Sequence, residues 1–334
     1  MGPLYSSNPT QTKETNLEVY RDVADFHPAS CTIVTVGTFD GVHIGHRTIL
    51  KRINELAKQE GRESVLLTFW PHPRLVLFPD YNDLKLLSTL KERIELLEES
   101  GIDHLIIHPF SLSFSRITAV EYVRDILVRD INVSKLVIGY DHHFGRNREG
   151  NLEELKNRAP SYGFEVEEIS AQEIDDVNVS STKIRNALLK GDLARANEFL
   201  GYRYSVRGKV VEGEKIGRSI GFPTANVEPD ESYKLIPGKG VYSVTVLYDG
   251  LLYRGMANLG SRPTVSDSDE RILEVNLFDF EGDLYEKEIK ITFVDRIRDE
   301  IKFESLDQLR EQLRQDALVA DRHLNDLTDV DFTD

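Results

Sequence analysis

The stretch "VTVGTFDGVHIGHRTIL", residues 34–50, decides the fold of the first half of this 334-residue chain. An apolar run ends at Gly37, a turn containing Gly41 follows, and a helical repeat then places Ile49, Leu50, Ile53 and Leu56 on one face, with Gly61 as its stop. An extended run, a tight turn and an amphipathic helix make the opening of a strand–crossover–strand unit, and the chain beyond repeats it. "SVLLTF" is the next strand candidate. Thr89 with Glu92, and Thr118 with Glu121, stand at capping-box spacing ahead of two further helices, and "DHLIIHPF", "KLVIGY" and "FEVEEI" supply more strands. Parallel neighbours cannot be joined by tight hairpins, so the alternation predicts an α/β class and a Rossmann-like parallel sheet over residues 31–200, preceded by an N-terminal extension over 1–30.

The texture changes near Gly201. "YSVRGKVV", "GVYSVTVLYDGLLYRGMANLG", "ILEVNLFDF" and "EKEIKITFV" are strands separated by glycine-containing turns, and they predict a small antiparallel barrel or sandwich over residues 201–325. "YDG" marks a hairpin, Ser305 with Gln308 caps a closing helix, and residues 326–334 form an acidic tail.

Lysine and arginine total 41 against 57 aspartates and glutamates, and the net charge of −16 repels a phosphate backbone. Nucleic acid is therefore not the expected partner, and any bound phosphate needs a local site. Cys31 is the lone cysteine, no apolar run reaches the ~18 residues of a membrane span, and the first residues lack the apolar centre of a secretory signal. The expectation is a soluble cytoplasmic protein.

His43 and His46 fall three residues apart at the helix start after "VTVG". Free N–H groups and the dipole at a helix N-terminus favour an anion, and imidazoles there donate hydrogen bonds to phosphate oxygens. Such donors stabilise the charge that builds up when a nucleotide's α-phosphate is attacked in line. A metal pair is the alternative, but no glutamate follows His43 and no cysteine is near. In the second half, Thr224 and Asn226 are two apart and present their oxygens on one strand face, as a hard cation such as Mg²⁺ prefers; the alternative is that both satisfy turn backbone. Strand alternation sends Leu273, Val275 and Leu277 one way, and Glu274, Asn276 and Phe278 the other. The spacing of Gly213, Gly217 and Gly221 is not that of a Walker A loop and is by itself compatible with ordinary turns.

"GTFDGVHIGHR" (37–47), "TFWPHPR" (68–74), "VIGYDHHFGRNREGN" (137–151), "SSTKIR" (180–185) and "GRSIGFPTANV" (217–227) occur in that order. Together they resemble the bacterial bifunctional riboflavin kinase/FAD synthetase family, from about residue 31 to 320. The resemblance implies two ATP-dependent activities. The N-terminal domain adenylylates FMN to FAD and releases pyrophosphate; the C-terminal domain phosphorylates riboflavin to FMN with Mg²⁺.

Carried onto this chain, the resemblance gives His43 and His46 as catalytic, and Gly37, Thr38, Phe39, Asp40, Gly45, Asp141, Ser181, Thr182 and Arg185 as ATP-binding residues of the adenylyltransferase. It gives Gly217, Gly221, Thr224 and Asn226 as the ATP site of the kinase, Thr224 and Asn226 as Mg²⁺ ligands, and Glu274 as the base for the ribityl hydroxyl. Trp70 offers a stacking surface for the flavin or a rigid turn that packs, and Arg298 with the closing helix is expected to cover the flavin. Thr38, His142, Asn276 and Glu286 depart from the common family pattern.

Two other functions compete. One keeps the adenylyltransferase with another phosphate-bearing acceptor and makes the barrel a binding module. The other takes "SSTKIR" as similar to the signature loop of class I aminoacyl-tRNA synthetases, against which the net charge of −16 weighs.

Overall fold

The computed structural model describes residues 17–78, 84–139, 143–146, 149–169, 179–213, 217, 221–261 and 271–325. Asp141 and His142, most of the N-terminal extension (1–16) and the acidic tail (326–334) lie outside the described residues. The chain divides after Ser181 into two compact units.

The first unit is built on six parallel strands: β1 (Glu18–Tyr20), β2 (Thr32–Val36), β3 (Glu63–Trp70), β4 (His104–Pro109), β5 (Val133–Gly139) and, after a short antiparallel ribbon of β6 (His143–Phe144) and β7 (Gly150–Asn151), β8 (Glu165–Ile169). Their order is β1-β4-β3-β2-β5-β8, with every neighbouring pair parallel. All five residues of β2 are buried, as a central strand with both faces covered requires. Ile33 packs with Leu50, Ile53 and Leu97 on one face, while Val34 and Val36 pack with Tyr122, Val123 and Leu127 on the other.

Local chemistry sets the helices. The Ile44–Glu60 helix starts on His43 and stops at Gly61, whose φ of 63° lies in the left-handed region that glycine takes without strain. Both expected capping boxes are present, at Thr89/Glu92 and Thr118/Glu121. Two features differ from the sequence expectation. Residues 18–20, within the stretch read as an extension, form the edge strand β1 by pairing with His104–Ile106. The helix begun at Thr118 widens over Tyr122–Asp130 into a π-helix, closed by a bond from Ile131 N–H to Ile126 O at 3.0 Å.

The second unit carries the helices Ser181–Leu189 and Leu193–Leu200 and then a closed antiparallel barrel, which settles barrel against sandwich. Its strands β9 (Ser205–Val211), β10 (Ala225–Pro229), β11 (Gly240–Tyr248), β12 (Leu251–Ser261), β13 (Arg271–Leu277) and β14 (Glu288–Arg298) close in the order β10-β13-β12-β11-β14-β9. Val206, Val244, Ala257, Val275, Ile291 and Phe293 fill the interior and are inaccessible to solvent. The "YDG" turn has Asp249 and Gly250 at φ 49° and 72°, the doubly left-handed geometry of a two-residue hairpin. Glu286 also sits at positive φ (63°) and forms an ion pair with Lys209.

The closing helix Leu306–Asn325 is capped as expected, with Gln308 N–H donating to Ser305 Oγ at 3.3 Å. It covers the outer face of the barrel, where Ala320 and Leu324 bury Met256. Arg298 fixes it electrostatically: its Nε and Nη2 donate to the buried Asp316 carboxylate at 2.7–3.0 Å, and Gln312 donates to the same group. Removing one member of a buried pair strands the other. Asp316→Ala is therefore expected to cost about 3 kcal/mol in equilibrium unfolding of this unit, and Arg298→Met with Asp316→Leu to recover most of it. A loss below about 1 kcal/mol for Asp316→Ala would contradict this assignment.

Candidate active sites

In the first unit, the chain passes from β2 to β3 on one side of the sheet, while β5 lies against β2 on the other. The carboxyl end of β2 is thus the switch point at which open α/β sheets bind ligands. The loop there is tightly wound: Phe39, Gly41 and Val42 have φ of 47°, 79° and 36°. Left-handed backbone at two non-glycine residues, one of them β-branched, stores about 1–3 kcal/mol at each. Gly37 permits the fold-back, because a Cβ there would press on the Phe39 ring at 2.9 Å.

The restraint comes from Asp40. Its carboxylate is 1% exposed and accepts from Leu87 N–H at 2.9 Å and Ser88 N–H at 3.1 Å, while Ser88 Oγ accepts from Gly41 N–H at 3.0 Å. Ser181 Oγ donates to the Asp40 carbonyl at 3.2 Å. Asp40 therefore points into the protein and anchors the loop. Thr38 contributes its carbonyl, which accepts from Thr68 Oγ1 at 3.3 Å.

His43 caps the Ile44–Glu60 helix through Nδ1, which accepts from His46 N–H at 3.4 Å. With Nδ1 an acceptor, the neutral ring carries its proton on Nε2, which makes Nε2 a donor. The His43 and His46 rings are stacked, with centroids 3.6 Å apart and planes at 15°, and the Phe39 ring lies 4.5 Å from His46, tilted by 31°. Burial, the His43 ring and the Arg93 charge hold the His46 pKa well below the usual imidazole value, so that ring is neutral. His46 Nδ1 is buried with no hydrogen-bond partner among the described residues. Gly45 is buried beside them, and no acidic residue stands in the first turn. The arrangement is a neutral, donor-rich site on the positive end of a 17-residue helix.

Trp70 ends β3, partly buried in the core, and one side of its ring is taken by the Arg93 guanidinium 5.8 Å from the centroid. Sequence reasoning did not single out Arg93, which is wholly buried. A signal existed: Leu90, Arg93, Ile94 and Leu97 share the apolar face of one helix, where a guanidinium is out of place. Ser181 opens the Ser181–Leu189 helix, on which Thr182 and Arg185 follow as part of the second unit.

In the barrel, strand register brings distant residues together. Asn226 on β10 lies directly opposite Glu274 on β13, and Glu274 lies opposite Asn258 on β12. Asn258 pairs with Val241 on β11, and Val241 with Arg298 on β14. Directly opposed residues share a face with Cβ atoms about 4.5–5.5 Å apart, so these five form one row. The row lies on the outer face, because Leu273 and Val275 on either side of Glu274 fill the interior.

Thr224 precedes Asn226 by one strand step. Asn276 donates from Nδ2 to the Pro223 carbonyl at 2.6 Å and so fixes the start of that segment. Glycine is required around it: a Cβ on Gly213 would overlap the Asn226 amide, and one on Gly217 would collide with the Phe222 carbonyl and sit 3.3 Å from Thr224 Oγ1. Gly221 has φ 85°. Arg298 stands three strands from Glu274, roughly 14 Å along the sheet, with its fork engaged by Asp316.

Comparison with known proteins follows this division. The FAD synthetase family model matches residues 26–183 and the riboflavin kinase model residues 200–324. A bifunctional riboflavin kinase/FMN adenylyltransferase of Listeria monocytogenes is 36% identical over 80% of this chain and 84% of its own. The one from Escherichia coli K12 is 38% identical over 82% and 86%. A crystal structure described as a macrolide-efflux protein from Streptococcus pneumoniae superposes with a TM-score of 0.83 at 34% identity, over 93% of this chain and 99% of that one. No helix among the described residues of this chain is long and apolar enough to cross a membrane. Two family models matched in sequence order, and relatives aligned over four-fifths of the chain, place this protein in the bifunctional riboflavin kinase/FMN adenylyltransferase family.

Proposed function

We propose that the two activities of this family use separate sites in this chain, FMN adenylylation in residues 31–200 and riboflavin phosphorylation in residues 201–325. The observation that carries the reading is that His43 and His46 lie together in the first unit, while Thr224, Asn226 and Glu274 lie together in the second. The two reactions ask for different groups. Riboflavin offers a neutral hydroxyl, so its attack on the γ-phosphorus of ATP gains from a base; FMN offers a phosphate that is already anionic and needs none.

In the barrel, the ribityl 5′-hydroxyl oxygen forms a bond to the γ-phosphorus as the bond to the β,γ-bridging oxygen breaks. Glu274 accepts the hydroxyl proton, and ADP leaves. Asn226, held beside Glu274 by the strand register, and Thr224 face the nucleotide phosphates. The glycines at 213 and 217 keep side chains off the Asn226 amide and Thr224 Oγ1, and two neutral oxygen donors suit Mg²⁺, which would add phosphate charge neutralisation there.

In the first unit, an FMN phosphate oxygen attacks the α-phosphorus of ATP and pyrophosphate leaves with the bridging oxygen. His43 Nε2–H, the His46 ring and the free N–H groups of the helix start stabilise the charge on the departing oxygens. Trp70 borders that site as a surface for the flavin, and Arg298 acts on the kinase site from its distal end by holding the closing helix. The −16 charge and the exposed lone thiol of Cys31 support a cytoplasmic enzyme acting on small molecules, not on nucleic acid.

Chromatography of flavins after incubation with riboflavin and Mg·ATP should show FMN and then FAD; neither product would refute the reading. His43→Asn keeps a good helix cap but lacks the Nε2 donor, so FAD formation should fall about 100-fold or more while riboflavin phosphorylation and thermal stability stay near wild type. Wild-type FAD formation in that variant would rule out the donor role.

Because the folded-state pKa of His46 is lowered, the unfolded chain binds a proton below about pH 6.5 that the folded chain does not. The contribution is full above that pH and is lost as pH falls. The first unit should therefore lose stability between pH 7.5 and 5.5, and His46→Gln should flatten that slope; an unchanged slope would contradict it.

A further inference from the structure

We propose that Asn258 is a positioning residue of the kinase step: an amide on the far side of Glu274 from Asn226, it directs that carboxylate toward the acceptor alcohol and binds the polyol chain that carries it. The proposal rests on the reading of Glu274 as the base and assigns the acceptor side of its site.

The register is the ground for it. Glu274 is paired on one side with Asn226 and on the other with Asn258, so a single carboxylate stands between two amides on the outer face of three adjacent strands. A row of this kind has a direction. Thr224 and Asn226, with the glycine cradle, mark the β10 side as the phosphate-donor side. The acceptor then approaches from β12, where Asn258 is the polar residue directly opposed to Glu274.

Beyond Asn258 on the same face, Gly260 is buried, and a Cβ there would lie 3.7 Å from Asn258 Nδ2 and 2.8 Å from the Glu300 carboxylate. A side chain at 260 would therefore displace Glu300 and crowd the amide. Elsewhere on this face β12 is closed off: Met256 is buried beneath Ala320 and Leu324, and Arg254 is bound to Asp321 and Asn325. Asn258 is half-buried, between the buried Ala257 and Leu259.

An amide suits both tasks. Its N–H₂ can donate to a carboxylate oxygen, and its carbonyl can accept from a second hydroxyl of a polyol. A phosphate subsite would favour a cation at this point, and an aromatic subsite a ring.

The test is steady-state kinetics of riboflavin phosphorylation from pH 5 to 9, with FMN adenylylation measured on the same preparations. Asn258→Asp is isosteric and sets a like charge beside Glu274, so the acid limb of kcat/KM for riboflavin should move up by about one pH unit. Asn258→Leu should raise KM for riboflavin at least tenfold and leave KM for ATP within twofold, and Asn258→Ser should recover part of that loss. Adenylylation should be unchanged throughout.

An unmoved acid limb in Asn258→Asp together with a riboflavin KM within twofold of wild type in Asn258→Leu, with Glu274→Gln inactive as a kinase, would overturn the role of Asn258 alone. An active Glu274→Gln would overturn both readings. Should Asn258→Leu fail to show the thermal transition of the barrel, the isosteric Asn258→Asp carries the test.

Discussion

A buried carboxylate holds the proposed adenylyltransferase site in shape. Asp40 takes backbone N–H groups from Leu87 and Ser88, and with Ser88 Oγ on Gly41 it keeps Phe39 and Val42 in left-handed conformations that they would not otherwise adopt. Everything downstream follows from that turn. The chain enters the helix at His43 with the ring folded back as a cap, the His46 ring stacks on it, and Phe39 packs against His46. Asp40 thereby does structural duty within a site where a free carboxylate would repel phosphate.

The proposed kinase site is constrained differently. The closure of the barrel brings Asn226, Glu274 and Asn258 side by side, by setting three strands in one register. Glycines at 213 and 217 allow the neighbouring loop to come close, and Asn276 ties the segment before Thr224 to β13. At the other end of the row, Arg298 secures the closing helix through Asp316. On the proposed assignment, one protein carries two solutions to phosphate chemistry: a helix start with neutral imidazoles where the nucleophile is already charged, and a carboxylate between amides where a proton must be removed.

How much of this was legible in the sequence depended on the range of the interaction. Local signals transferred directly: the Thr89 and Thr118 capping boxes, the Gly61 stop, the Asp249–Gly250 hairpin and the Ser305 cap each involve residues within a few positions of one another. Parallel sheet and barrel followed from the change of period. The three-residue edge strand β1 carried too little pattern to be seen, and the π-helical winding from Tyr122 has no spacing of its own.

The alternation of β13 placed Glu274 on the face opposite the core, but its pairing with Asn226 and Asn258 is a matter of register between strands far apart in the chain. Arg93 was hidden by its apolar neighbours, and the anchoring of the turn through Asp40 could not be read because its partners, Leu87 and Ser88, lie 47 and 48 residues on. The most direct measurement of the central claim is the stoichiometry with which a non-hydrolysable ATP analogue binds the intact chain in the presence of Mg²⁺, by titration calorimetry. Two nucleotides per chain, with His43→Asn weakening one and Thr224→Val the other, is the result this account predicts; a single nucleotide per chain, weakened by either substitution, would contradict it.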